Sequence, residues 1–133
     1  MNLVAIGVIR SPYPTREAAP KSGYESKDEC IIEVFGDFAA ALDGVEQFDR
    51  LTVLYWLHQA RRETLRVYPR GQSELKGVFA SRSPDRPNPI GLSVVRLIEK
   101  KGNNLRVVGL DAIDETPLLD IKPALPEETE LDR

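Results

Sequence analysis

The chain has 133 residues, 41% of them hydrophobic and 29% charged, with a formal net charge of −3. That length suits one domain with its own core, and the balance is ordinary for a soluble globular protein. No apolar run approaches the roughly 18 residues of a membrane helix, and the negative sign excludes a global basic field for nucleic acid.

From the N-terminus, Leu3 to Ile9 is apolar and β-branched and is closed by Arg10-Ser11-Pro12. It lacks a basic n-region and a cleavage site, so it reads as a first strand and not as a signal peptide. Tyr13 to Lys27 carries Pro14, Pro20 and Gly23 among polar residues and reads as a long loop of the kind that often serves function. Cys30 to Phe35 is a second strand. Cys30 is the only cysteine, so no internal disulfide and no Cys cluster for a metal are expected, and a reducing, cytoplasmic setting follows. Phe38 to Phe48, rich in alanine, predicts a short helix stopped near Gly44. Leu51 to Leu57 is a strongly β-prone third strand, and Ala60 to Gln72 is polar and basic without a clear period.

Lys76 to Ser81 reads as a fourth strand. Leu92 to Ile98 and Leu105 to Leu110 flank the turn-forming Lys100-Lys101-Gly102-Asn103-Asn104, a good hairpin signal. Leu118 to Ile121 is a further short strand. Many short strands and hardly any helical period predict a mainly β fold, a closed or nearly closed barrel. The barrel domain is expected over residues 1–126, with 127–133 as a short, frayed acidic tail.

Charge is unevenly spread along this pattern. Between residues 60 and 86 seven basic residues (Arg61, Arg62, Arg66, Arg70, Lys76, Arg82, Arg86) stand against Glu63, Glu74 and Asp85, net +4. From Asp111 onward eight acids stand against Lys122 and Arg133, net −6. A locally basic middle suits phosphates, and chance clustering on a solvated face accounts for it equally well.

The densest chemical signal is Arg82-Ser83-Pro84-Asp85-Arg86-Pro87-Asn88-Pro89-Ile90-Gly91-Leu92-Ser93. Its prolines remove backbone freedom, so arginines and an asparagine are displayed from a stiff loop between strands. A barrel corner alone would not need so many specific residues. A second signal, Asp111-Ala112-Ile113-Asp114-Glu115-Thr116-Pro117-Leu118-Leu119-Asp120-Ile121-Lys122-Pro123, follows an apolar strand. Asp111 at the strand end suits a hydroxyl or an ammonium, and Asp120 and Lys122 share one face of an extended segment. Turns plus a surface ion pair explain this second block at least as well. His58, the lone histidine, closes an aromatic strand beside Gln59. No phosphate-binding or dinucleotide glycine motif, nucleophile elbow or HExxH occurs, which removes kinase, Rossmann, hydrolase and zincin readings.

IGVIRSPY at 6–13, LHQ at 57–59, GVFASRSPDRPNPIGLS at 77–93 and DxxDxTPLLDIKPxLP at 111–126 closely resemble the TsaA-like (TrmO, formerly YaeB) family, in family order over nearly the whole chain. The resemblance implies a single-sheeted β-barrel, a homodimer, and an S-adenosylmethionine-dependent methyltransferase. Its substrate would be tRNA, methylated at N6 of the N6-threonylcarbamoyladenosine following the anticodon. Carried over by position, the cofactor would meet Pro20, Lys21 and Ser22, then His58, Gln59, Arg82, Leu92, and Val108, Gly109, Leu110 and Asp111. No metal and no membrane are implied. Three departures stand out: Asp114-Glu115-Thr116-Pro117 replaces the family's Asp-Gly-Thr-Pro, Ala124 replaces an aromatic after Lys-Pro, and the C-terminal extension of longer members is not present.

Methyl transfer from a sulfonium needs positioning and desolvation more than added reactivity. A carbamoylated N6 must also lose its proton. His58, Asp111 and Asp114 are the candidate bases, Arg82 and Arg86 the candidate charge stabilisers, and Tyr13 and Tyr24 candidate stacking partners for a splayed base. The competing readings are a methyltransferase of another substrate, a non-catalytic S-adenosylmethionine sensor and, last, a bare RNA-binding barrel.

Overall fold

The computed structural model describes residues 1–23 and 26–131. Six strands, β1 (Gly7–Arg10), β2 (Glu29–Val34), β3 (Arg50–Trp56), β6 (Ile90–Lys101), β7 (Asn104–Val108) and β8 (Thr116–Pro123), close a barrel in the order β1-β2-β7-β6-β3-β8. All its pairings are antiparallel. Closure leaves the barrel itself no unpaired edge. The expected single-sheeted barrel is the fold.

Alternation along the strands decides what lies inside. Ile9, Ile32, Val34, Leu51, Val53, Tyr55, Leu105, Val107 and Leu118 are buried and form one core cluster. Two bulges keep that alternation in phase. One extra residue, Leu119, sits where Leu54 pairs Asp120 and Tyr55 pairs Leu118, so Leu118 and Ile121 both turn toward the core. The other, Ile98, lies where Leu97 pairs Val107 and Glu99 pairs Arg106.

Several elements differ from the sequence expectation. β1 starts at Gly7 and not at Leu3: Leu3 and Val4 are β-prone but exposed, with no partner strand beside them. The expected helix over 38–48 is instead two 3-10 segments, Gly36–Leu42 and Val45–Gln47, of which only Leu42 is buried. With so little apolar surface to bury, the segment does not recover the cost of nucleating an α-helix. The aperiodic stretch after residue 60 contains β4 (Arg66–Val67), paired with β5 (Lys76–Gly77) in a ribbon separate from the barrel. The expected strand over 76–81 therefore pairs only at its start and continues as a 3-10 turn, Val78–Ala80. The hairpin is present, with Lys101 opposite Asn104.

After β8 a short helix, α1 (Pro126–Leu131), forms where a frayed tail was expected. Glu128 anchors it, accepting from the buried Thr52 hydroxyl at 2.6 Å and from the Leu125 N–H at 3.3 Å. No helix among the described residues is long and apolar enough to cross a membrane. Nor does any group of three or more His, Cys, Asp or Glu side chains among them suit a metal ion.

Candidate cofactor site

The two long polar signals meet at one end of the barrel, where β3 and β7 finish and β6 and β8 begin. Tyr55 on β3 pairs with Gly91 on β6, and both face inward. A Cβ at Gly91 would lie 2.3 Å from the Tyr55 ring, so glycine is what lets the phenol reach across. The phenol oxygen lies 2.7 Å from Ser93 Oγ and donates to Asp111 Oδ1 at 2.5 Å. Burial raises the Asp111 pKa above the usual carboxylate value. Hydrogen bonds from Tyr55, from its own backbone N–H and from Ser93, together with the nearby Arg82 guanidinium, pull the other way. Asp111 is thus a half-buried acid held in one orientation, with a cation, Arg82, close by.

The long first loop closes over this pair. Gly23 is buried, and a Cβ there would sit 2.2 Å from the Gly109 carbonyl oxygen and 2.9 Å from Ser93 Oγ. Next to it, Ser22 Oγ is buried without a hydrogen-bond partner among the described residues. A buried hydroxyl left unpaired is costly, so this position can accommodate a polar group as its partner. Pro20 is half-buried and Lys21 exposed. Tyr13, only 7% exposed, donates to Asp28 at 2.9 Å and lies 2.7 Å from Ser26 Oγ. It is a buried pin of the loop and offers no ring face for stacking, contrary to expectation, because β1 delivers it inward. Tyr24, the other candidate, lies outside the described residues.

A salt bridge ties this loop to the proline-rich one: Arg16 Nη1 is 3.2 Å from Asp85 Oδ1. Burial raises the Asp85 pKa, but the Arg61 N–H and the Arg16 guanidinium outweigh it and leave the carboxyl below its ordinary value. Arg62 stacks 5.0 Å over Trp56 and donates to the Pro87 carbonyl at 2.8 Å, while the Leu57 N–H donates to Pro89 O at 2.8 Å. The segment bearing His58 and Gln59 is thereby fixed beside the proline loop, with both side chains exposed.

Other expected site residues are placed differently. Arg86 donates to three backbone carbonyls, Ser83 and Val78 at 2.8 Å each and Ser81 at 2.5 Å, so much of its guanidinium is spent inside its own loop. Asp114 Oδ1 accepts the Ser11 N–H at 3.0 Å. Leu92 is 44% exposed and points to the outer face of β6, opposite to Gly91 and Ser93. Of the strand-end run, Gly109 and Leu110 are buried and Val108 is half-buried. Asp120 and Lys122 do share a face, 3.3 Å apart, as a surface pair.

Tyr55 was not singled out by the sequence, which read it only as a strand residue. Its place beside Asp111 follows from the β3–β6 register. The inward parity it shares with Gly91 and Ser93 is the signal that could have found it.

Fold and site together define a small ligand-binding β-barrel whose loops gather, at one end, an acid, a cation and an unpaired hydroxyl. Residues 8–129 match the model of the tRNA-methyltransferase O N-terminal domain, and the chain belongs to that family. A probable S-adenosyl-L-methionine-binding protein of Methanothermobacter thermautotrophicus is 52% identical over 118 residues, covering 89% of this chain and 85% of that protein. The tRNA (adenine(37)-N6)-methyltransferase of Escherichia coli K12 is 40% identical over 132 residues, 91% of this chain and 56% of the enzyme. The crystal structure of TrmO from Pseudomonas aeruginosa superposes with a TM-score of 0.79 at 35% identity, covering 96% of this chain and 57% of that one. The chain therefore spans little more than half of those two longer relatives.

Proposed function

We propose that this chain is an S-adenosylmethionine-dependent tRNA methyltransferase that methylates N6 of N6-threonylcarbamoyladenosine at position 37. The observation that carries the reading is the Ser22–Gly23 loop laid on Gly109 and Ser93, with Asp111 held by Tyr55 beneath it and Arg82 alongside. A zwitterionic amino acid joined to a nucleoside presents an ammonium, a carboxylate, hydroxyls and an adenine edge. That cleft offers an acid, a cation and an unpaired buried hydroxyl to match. The cofactor supplies a methyl group already activated on a sulfonium.

Around it the chain's own residues bind and orient. Asp111 and Arg82 hold the charged ends, Ser22 takes a polar group, and Pro20, Lys21, Gln59, Val108, Gly109 and Leu110 shape the walls. We assign to His58, exposed beside the proline loop, the acceptance of the N6 proton. Asp111 is occupied by Tyr55 on one oxygen and by the charged end of the cofactor in this reading, and Asp114 accepts the Ser11 N–H. Arg86 acts here by fixing the loop and not by touching the substrate. We read residues 1–126 as the barrel domain, with the acidic segment 127–133 following it and held to the barrel through Glu128 and Thr52. We further read the protein as a cytoplasmic, twofold homodimer. The outward-facing Leu92 supports this, since there it would meet a second copy sooner than the pocket of its own chain.

The deciding experiment incubates the protein with methyl-labelled S-adenosylmethionine and tRNA from a strain lacking the modification. Label recovered in the N6-methylated, threonylcarbamoylated nucleoside is expected. Label in another nucleoside would retain the enzyme class and overturn the substrate. Cofactor binding without any transfer would favour a sensor, in keeping with relatives whose names mention binding alone.

A further inference from the structure

Phe79 is 84% exposed, yet it does not sit on a loose loop. It is the middle residue of the 3-10 turn Val78–Ala80, whose first side chain, Val78, is buried. Arg86 grips that turn from below, donating to the Val78 and Ser81 carbonyls at 2.8 and 2.5 Å, and the Val78 N–H donates to Leu65 O at 2.9 Å. The backbone that carries the ring is thus already ordered while the ring itself stays in water, so a flat partner could cover it without the added cost of ordering the turn. The attached ribbon adds Tyr68 at 64% exposure and Leu65 at 67%.

The charge of the segment that carries the ring narrows the partner. Residues 60–86 carry net +4 in a chain whose overall charge is −3. A second copy docking here about a twofold axis would set this positive segment against itself. A polyanion with flat apolar faces satisfies both features, and single-stranded RNA with unstacked bases is such a ligand.

We propose that Phe79 is a stacking platform for an unpaired base of the RNA substrate, and that Arg86 is the positioning residue that presents it. This rests on the tRNA reading above and extends it to a residue that reading does not use. The phosphates flanking the stacked base meet the basic ribbon, where Arg66 stands on β4.

The test uses the full chain and a fluorescently labelled anticodon stem–loop RNA, with cofactor affinity by calorimetry and assembly by sedimentation in parallel. Phe79→Ala should weaken RNA binding roughly tenfold, the size of one lost base stack. Phe79→Trp should restore it and Phe79→Leu should not. The salt dependence should keep the parent's slope, because no charge is removed. Cofactor affinity and oligomeric state should match the parent. Arg86→Lys, which loses the guanidinium fork, should weaken RNA binding alone but add nothing in the Phe79→Ala background. The proposal is overturned if Leu restores binding as well as Trp does, if Phe79→Ala changes the oligomeric state, or if it binds RNA like a parent that itself binds. A parent that binds no RNA would instead overturn the tRNA reading, and this one with it.

Discussion

Glu115, where the family resemblance leads one to expect glycine, has φ 69°, in the left-handed region that favours glycine. An L-residue there carries about 1–2 kcal/mol of strain, against about 0.4–1 kcal/mol that glycine costs through the unfolded chain. The contact of Glu115 with Arg10, 3.5 Å between two exposed side chains, offsets little. Glu115→Gly should therefore stabilise the protein by about 0.5–1 kcal/mol in urea denaturation, with cofactor binding unchanged. Asp111 presents the opposite balance, function over stability. Its folded pKa is raised, chiefly by burial. The stability it contributes is complete below the ordinary carboxylate pKa of about 3.9 and is lost as pH rises through the raised value. Asp111→Asn should remove that decline and melt no lower than the parent at neutral pH. The same substitution should weaken S-adenosylmethionine binding about ten- to a hundredfold, the loss of one charge-assisted hydrogen bond. A variant that melts lower at neutral pH and binds normally would displace Asp111 from the site.

Between elements, the β3–β6 pairing and the tether joining the two long loops build the cleft. Gly91→Ala would drive a methyl into the Tyr55 ring, 2.3 Å away. It should destabilise the barrel by about 1–3 kcal/mol, as overpacking does, and reduce cofactor affinity because the phenol no longer meets Asp111. Lower stability with full affinity would separate the ring from the site. The loop tether is electrostatic. Asp85 has a lowered folded pKa, so its contribution is present above the ordinary carboxylate range and lost as pH falls through the folded value. Asp85→Ala should free residues 13–23 from the proline loop, seen as faster proteolysis there while the barrel's melting temperature stays near the parent's. Unchanged cleavage would show that the Tyr13 pin alone holds the loop.

For the molecule as a whole, the closed barrel is the frame, and its long loops at one end carry the candidate cofactor site. Its other end is different in kind. There Ile6, Val34, Phe38, Val45, Phe48 and Ile121 help line a groove of about 620 Å³, remote from Asp111 and its partners. Homodimer formation belongs at this scale as well. Sedimentation at micromolar concentration should give twice the chain mass, and Leu92→Asp should shift it to monomer if the outer face of β6 forms the contact. A parent that sediments only as monomer would remove the dimer.

The sequence by itself determined the mainly β class, because alternation and turn residues are local signals, and also the family, because its motifs are contiguous. It located the strands at 29–34, 50–56 and 104–108 within a residue or two, since the first and last bury every second side chain and the middle one is a dense β-prone run. The ribbon of β4 and β5, the 3-10 segments and the bulges were decided only by tertiary structure, because each depends on whether a partner strand or a buried face is available. The site divides along the same line. Arg82 and Asp111 were singled out from the sequence as candidate charged residues, and the fold brings the Arg82 guanidinium near Asp111. That Tyr55 would orient Asp111 from 56 residues away, that Arg86 would spend itself on carbonyls, and that Leu92 would face outward were not legible. The facings of Tyr55 and Leu92 hang on the register between strands distant in the chain, which a shift of one residue would have reversed, while the bonds of Arg86 depend on the fold of its own loop.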